Sequence, residues 1–173
     1  GCEIHATSVS LKGTISADGA GFDHGQGPGA PCSCVAQGAS HGGQAAGNDP
    51  GCGDTYGDAG LPMALGSGGG STDKCVVASD IRAGGAVALF VSGEADLAGI
   101  ISASIGKADG SPAVASPGAG ASGGSILIVA KSIKACPELR AAGGDGLYHG
   151  GVGGRIAIYT DLYADEPCTI PPP

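Results

Sequence analysis

Apolar residues fall along this chain in short runs, each opened by a pair of glycines. Gly84-Gly85 precedes Ala86-Val87-Ala88-Leu89-Phe90-Val91, and Gly123-Gly124 precedes Ser125-Ile126-Leu127-Ile128-Val129-Ala130. Gly153-Gly154 precedes Arg155-Ile156-Ala157-Ile158-Tyr159. The runs are rich in β-branched and aliphatic residues and have strand length, so each predicts a β-strand. A second strand type is predicted at Gly13-Thr14-Ile15-Ser16-Ala17-Asp18-Gly19, at Gly99-Ile100-Ile101-Ser102-Ala103 and at Leu139-Arg140-Ala141-Ala142-Gly143-Gly144. Side chains alternate across a strand, which places Val87, Leu89 and Val91 over Ile126, Ile128 and Ala130 when the units stack. Glycine pairs fit where the backbone turns or comes close to a neighbouring layer.

The units recur at about 30–40 residues, within the range of repeat architectures. With two short strands per unit and no helical period, the pattern predicts an all-β chain built as a β-solenoid. One domain is expected over residues 1–165, followed by a proline-rich tail at 166–173. Residues 20–75 carry few strand-like runs, so they predict a long excursion held by cysteines rather than a structureless loop. Residues 106–122, with Ser111-Pro112 and Ser116-Pro117, predict a shorter one. Pro171-Pro172-Pro173 predicts a polyproline II arm.

Composition narrows this picture. Of 173 residues, 36 are Gly and 11 are Pro, while only 3% are aromatic and none is Trp. Such glycine enrichment also suits disorder, but the compact runs Val87–Val91, Ile126–Val129 and Ile156–Tyr159 argue for a packed core. That core must be thin, because no large rings are available to fill a wide one. The formal net charge is −8, which excludes the basic patches needed for nucleic acid or an anionic membrane surface. No apolar run approaches a membrane span.

The seven cysteines are Cys2, Cys32, Cys34, Cys52, Cys75, Cys136 and Cys168. None forms a CxxC pair, and His is too sparse for zinc spacing, so disulfides in an oxidising compartment are predicted. The odd number leaves at least one thiol free or bonded to another chain. Cys2 and Cys168, near the two ends, are the inter-subunit candidates. The sequence opens Gly1-Cys2-Glu3, which predicts a removed leader or an excerpt. Asn48 is followed by Asp49-Pro50 and forms no sequon. Glycosylation or hydroxylation is expected, if anywhere, at Ser, Thr or the prolines Pro112, Pro117, Pro171, Pro172 and Pro173.

The ordered set "GTISADGAG", "AGGAVALFVSG", "GASGGSILIVAKSI", "LRAAGGDG" and "GGVGGRIAIY" carries a resemblance, together with Ser40-His41-Gly42-Gly43, Tyr56-Gly57-Asp58, Pro62 and Leu65 to Ser71. It resembles the glycine-rich β-solenoid segments of large secreted eukaryotic surface and fibre proteins of plants, oomycetes and other protists, including flagellar-hair (mastigoneme) components. The resemblance runs from about Val9 to Tyr159. It implies a right-handed parallel β-helix and an extracellular structural role, and it carries over no catalytic residue. The chain departs from that pattern in being far shorter and in adding cysteines near both ends.

Candidate chemistry is sparse. His41 could ligate a metal with Asp49, Asp54 or Cys52; the simpler expectation is that it bonds loop carbonyls. His24 and His149 have no partners at ligand spacing. Asp18-Gly19, Asp109-Gly110 and Asp145-Gly146 lack the nine-residue period of calcium-binding rolls and read as turns, with isolated surface calcium as the alternative. Asp80 near Arg82 and Glu94 near Asp96 are the nearest charged pairs, and no paired carboxylates are set for acid–base work. The Thr residues show no period of the kind that ice binding needs, and the glycine spacing is not the collagen triplet.

The chain is therefore expected not to be an enzyme and to need no cofactor. It reads as a secreted, extracellular structural protein, the subunit of a filament or surface matrix formed head-to-tail with itself. The alternative is a glycan-binding, adhesin-like module using residues 20–75, against which the scarcity of aromatics counts.

Overall fold

The structure is a computed structural model that describes residues 1–32, 37–46, 52–70, 80–107, 109, 115–116 and 118–162. Twelve strands are present among them and no helix. In chain order they are β1 (Cys2–Ala6), β2 (Val9–Ser10), β3 (Thr14–Ser16), β4 (Ile81–Arg82), β5 (Ala86–Asp96), β6 (Ile100–Ser102), β7 (Gly106–Lys107), β8 (Ala115–Ser116), β9 (Ser125–Ala135), β10 (Glu138–Arg140), β11 (Asp145–Gly146) and β12 (Arg155–Leu162).

The glycine-pair runs become β5, β9 and β12, which lie side by side with β1 in the order β1-β5-β9-β12, all parallel. The second strand type forms a smaller parallel sheet, β10-β6-β3. The expected register is present: Val87 faces Ile126, Leu89 faces Ile128 and Val91 faces Ala130. Identical columns extend outward, Cys2–Val87–Ile126–Ile156 and Ile4–Leu89–Ile128–Ile158. The core lies between the two sheets. Leu89, Leu97, Ile101, Ile126 and Ile128 have no exposed surface, and each such side chain stabilises the fold by about 1.5–3 kcal/mol.

The expected right-handed parallel β-helix is not what the chain forms. A separate antiparallel pair, β4 with β7, accompanies the parallel sheets, and the sheets are not closed into a solenoid. The physical reason lies in the glycine-rich stretches. They do not continue as strands around a coil but gather into a bundle of extended segments bonded sideways to one another. Residues 118–124 run through its middle, buried throughout. Ala119 and Ser122 donate their backbone N–H groups to Gly70 and Ser67, while Gly120 and Gly123 donate to His149 and Val152. Phe22 and Gly25 donate in the same rhythm to Gly66 and Gly69. Donors that return to one neighbour every third residue match the threefold, internally unbonded geometry of polyproline II.

The bundle satisfies the buried backbone that a loop would leave unpaired. It requires glycine because the segments touch backbone to backbone. A Cβ on Gly84, Gly123, Gly124 or Gly154 would run into the carbonyl oxygen of Ala103, Ala141, Gly85 or Gly124 respectively. Much of the stretch 20–75, expected as an excursion, is thus an integral layer of the fold.

Candidate functional site

Two places concentrate chemistry: a polar knot inside the glycine bundle, and the outer strands of the parallel sheets. The knot centres on His41, which has no exposed surface. Its Nδ1 donates to the carbonyl of Gly123 at 2.8 Å. A carbonyl only accepts, so the proton sits on Nδ1 and the lone pair on Nε2. Nε2 is buried and has no hydrogen-bond partner among the described residues. The ring stacks on Tyr56, with centroids 4.6 Å apart and planes 22° from parallel. The chain then turns at Gly57 with φ of 79°, a conformation that glycine adopts without steric cost.

The Tyr56 hydroxyl donates to the Leu65 carbonyl at 2.5 Å and accepts from the Ser67 hydroxyl at 2.8 Å. Ser67 Oγ accepts the Gly29 N–H at 2.9 Å, and the Ser67 N–H donates to Ser122 Oγ at 2.8 Å. Arg155, at the start of β12, donates through Nε to the Tyr56 carbonyl at 3.2 Å and through Nη2 to that of His41 at 3.4 Å. Six separate stretches of chain meet here.

Burial holds the His41 imidazole below its ordinary value; the Gly123 bond opposes this and the Arg155 charge adds to it. Burial likewise lowers His24 and raises the Tyr56 phenol, the latter against the bonds to Ser67 and Ser122 and the Arg155 charge. Asp58 sits below the usual carboxylate range because the N–H groups of Gly60 and Leu61 bond its carboxylate.

The knot's geometry is that of a fastening. The Ser67 hydroxyl donates to Tyr56 and not to His41, so it lacks the adjacent base that an activated nucleophile needs. His41 bonds a backbone carbonyl, the simpler of the two expectations. Cys52 is joined to Cys32 in a disulfide, which removes it as a ligand, and Asp49 lies outside the described residues. Among the described residues no three His, Cys, Asp or Glu side chains converge on one point.

Other expected sites are placed differently. Asp18 does more than turn the chain: its carboxylate accepts the Ser102 hydroxyl at 2.5 Å and the Ser104 N–H at 2.7 Å. Asp145-Gly146 is strand β11, paired in parallel with β8, rather than a turn. Asp109 lies in a turn, and Gly110 falls outside the described residues. Arg82 pairs with Asp23 at 2.5 Å, not with Asp80, whose carboxylate is 3.9 Å from Lys107. Glu94 and Asp96 lie on β5. Cys136 takes part in a disulfide, and Cys2 is free and exposed. Cys34, Cys75, Cys168 and the prolines Pro112, Pro117 and Pro171 to Pro173 lie outside the described residues. Tyr56, Ser67, Ser122 and Arg155 were not legible as partners of His41, since no local spacing links them.

The second place is the pair of sheet edges. β1 and β12 are the outer strands of the larger sheet, and β3 and β10 those of the smaller. No described strand pairs with their outer sides. Ile4 and Ile15 at one end, and Ile156 and Ile158 at the other, pack on the core while remaining partly exposed. On the outer face, His5 stacks on Phe90 with centroids 4.8 Å apart and planes 12° from parallel. The same row continues through Val129 to Tyr159, which is 45% exposed. Compared with protein-family models, curated proteins and solved structures, the chain matches none.

Proposed function

We propose that this chain is an extracellular structural protein, the subunit of a self-assembling filament or surface matrix. The observation that carries the reading is that no described strand pairs with the outer side of β1 or β3, which end the two parallel sheets. Unpaired N–H and C=O groups on a flat strand form a template for another chain. Neither β1 nor β12 contains a proline. Because every strand in these two sheets runs parallel to its neighbours, the two ends differ, and contacts between unlike ends propagate. Secretion is supported by the Cys32–Cys52 disulfide and by Cys136, since disulfides persist in oxidising compartments. The knot, with His41, Ser67 and Ser122 buried and bonded largely to backbone carbonyls, supports a scaffold role.

Electron microscopy of the native, unreduced protein tests the reading. Regular filaments or sheets repeating at the length of one small domain are expected. Dispersed monomers at high concentration would overturn it.

A second reading, a glycan-binding module, is favoured by one feature: open grooves of about 510 and 480 Å³ flank the outer row, lined by Tyr159 and Lys131 in one case and by His5 and Phe90 in the other. Binding on a glycan array that is lost in Tyr159→Ala would support it.

A further inference from the structure

We infer that residues 57–64 form a strap over the outer face of the larger sheet, held shut while the His41 imidazole is neutral and released when that ring takes up a proton. The inference is independent of the subunit reading.

The seat of the strap shows in the two faces of β5 and β9. Val87, Leu89, Ile126 and Ile128 belong to the core between the sheets. Ala88 and Leu127 alternate with them and so point to the opposite face, yet both are buried. The strap runs across that face. The Ser125 hydroxyl donates to the Ala64 carbonyl at 2.7 Å, and the Tyr159 hydroxyl donates to the Gly60 carbonyl at 2.5 Å. Between these two bonds Pro62 is fully buried, while Leu61 and Met63 stay exposed. Asp58 accepts the N–H groups of Gly60 and Leu61, which closes a turn within the strap itself. Gly57, Asp58 and Ala59 are exposed. A thin, solvent-facing segment of this kind belongs to the low-stability end of a fold and opens locally.

The root of the strap is the knot. Arg155 donates to the carbonyls of Tyr56 and His41, and the Tyr56 ring stacks on His41. A methyl group placed on Gly57 would lie 3.6 Å from His41 Nε2 and 3.9 Å from Arg155 Nε. The exposed backbone of Gly57 therefore covers the ring nitrogen that has no hydrogen-bond partner among the described residues. With φ of 79°, Gly57 is also a joint that can swing without a side chain to clash.

A proton on Nε2 makes a donor with nothing to receive it beneath Gly57, and a second positive charge beside Arg155. The groups around the ring do not offset that charge. β12 contributes Arg155, the root of the strap contributes the Tyr56 phenol, and the central segment contributes the Gly123 carbonyl already bonded to Nδ1. The nearby Asp58 carboxylate is engaged by its own turn. Swinging the strap outward gives the new N–H to water. In the open form the ring titrates at its ordinary value of 6.5 and in the closed form lower, so release grows as pH falls below 6.5.

Hydrogen exchange of the full chain, read by mass spectrometry and corrected for the intrinsic rate, tests this. Between about pH 7.5 and about pH 5, protection of peptides within 56–66 should fall roughly tenfold while β5 and β9 keep theirs. In His41→Gln the strap should exchange equally at both pH values, and in Asp58→Asn the fall should persist. Strap protection that stays constant in the wild type would overturn the inference. So would a fall shared with β5 and β9, a fall that survives in His41→Gln, or one abolished in Asp58→Asn. Should His41→Gln not fold, a nuclear magnetic resonance titration of the wild type decides. The His41 ring and the Gly57 and Gly60 amides must then share one midpoint, and separate midpoints would overturn the latch.

Discussion

The imidazole of His41 hydrogen-bonds the carbonyl of Gly123 across 82 residues of sequence, and this bond pins a side chain to the middle of a bundle that otherwise consists of backbone. Burial holds this imidazole below its ordinary value of 6.5. His24 is displaced in the same direction by the same cause. A histidine whose folded value is depressed contributes stability that is present above pH 6.5 and is lost as pH falls toward its folded value. Denaturant melts between about pH 7.5 and 4 are expected to show decreasing stability. His41→Gln should weaken that slope, leaving the His24 part, and cost about 1–3 kcal/mol at neutral pH through the lost buried bond. An unchanged slope in this variant would show that His41 is not the titrating group.

Glycine is expected to be irreplaceable at the backbone contacts of the bundle. Gly124→Ala drives a methyl group into the Gly85 carbonyl and should cost about 3 kcal/mol or more. Gly43→Ala, where nothing lies within 4 Å of an added Cβ, should stay within about 0.5 kcal/mol. Thermal midpoints of the two variants, measured side by side, check the contrast.

The Cys32–Cys52 bond ties together residues separated by 20 positions. In the chain-entropy account a loop of this size is worth about 3 kcal/mol. The Cys32→Ser, Cys52→Ser double variant should unfold at correspondingly lower denaturant with the core strands β5 and β9 intact. A collapse of the far-ultraviolet circular dichroism under native conditions would contradict this.

Asp18 joins the turn after β3 to Ser102 at the end of β6 and to Ser104 just beyond it. Hydrogen bonds to a charged group contribute about 1.5–3 kcal/mol, so Asp18→Ala should lower stability by that order, whereas Asp54→Ala, on an exposed residue, should not. Urea titrations of the pair decide it.

The strands were legible because their information is local. A glycine pair followed by alternating aliphatics marks β5, β9 and β12, and the two-residue period alone sets Leu89 over Ile128. The glycine bundle was not legible because its information is lateral. Ala119 and Ser122 find Gly70 and Ser67 through backbone groups that every residue possesses, and no side-chain period reports that. The same holds for the knot. His41 with carbonyl partners was anticipated as a type of interaction, but its meeting with Tyr56, Ser122 and Arg155 depends on stretches far apart in sequence. Read locally, Asp145-Gly146 has turn chemistry, yet strand β8 is available to pair with it.

A bundle in which bonding repeats every third residue carries an ambiguity absent from side-chain cores. Sliding one glycine segment past its neighbour by three positions restores its backbone bonds almost unchanged. What separates the native alignment from its slipped copies is a handful of punctuating side chains, chiefly His41, Tyr56, Ser67 and Ser122. These act as indexing marks on an otherwise featureless ruler. The marks are distant in the chain, as the 55 positions between Ser67 and Ser122 illustrate, and distant contacts form slowly. The time this protein takes to reach its native state is then set less by making hydrogen bonds than by discarding those made at the wrong index.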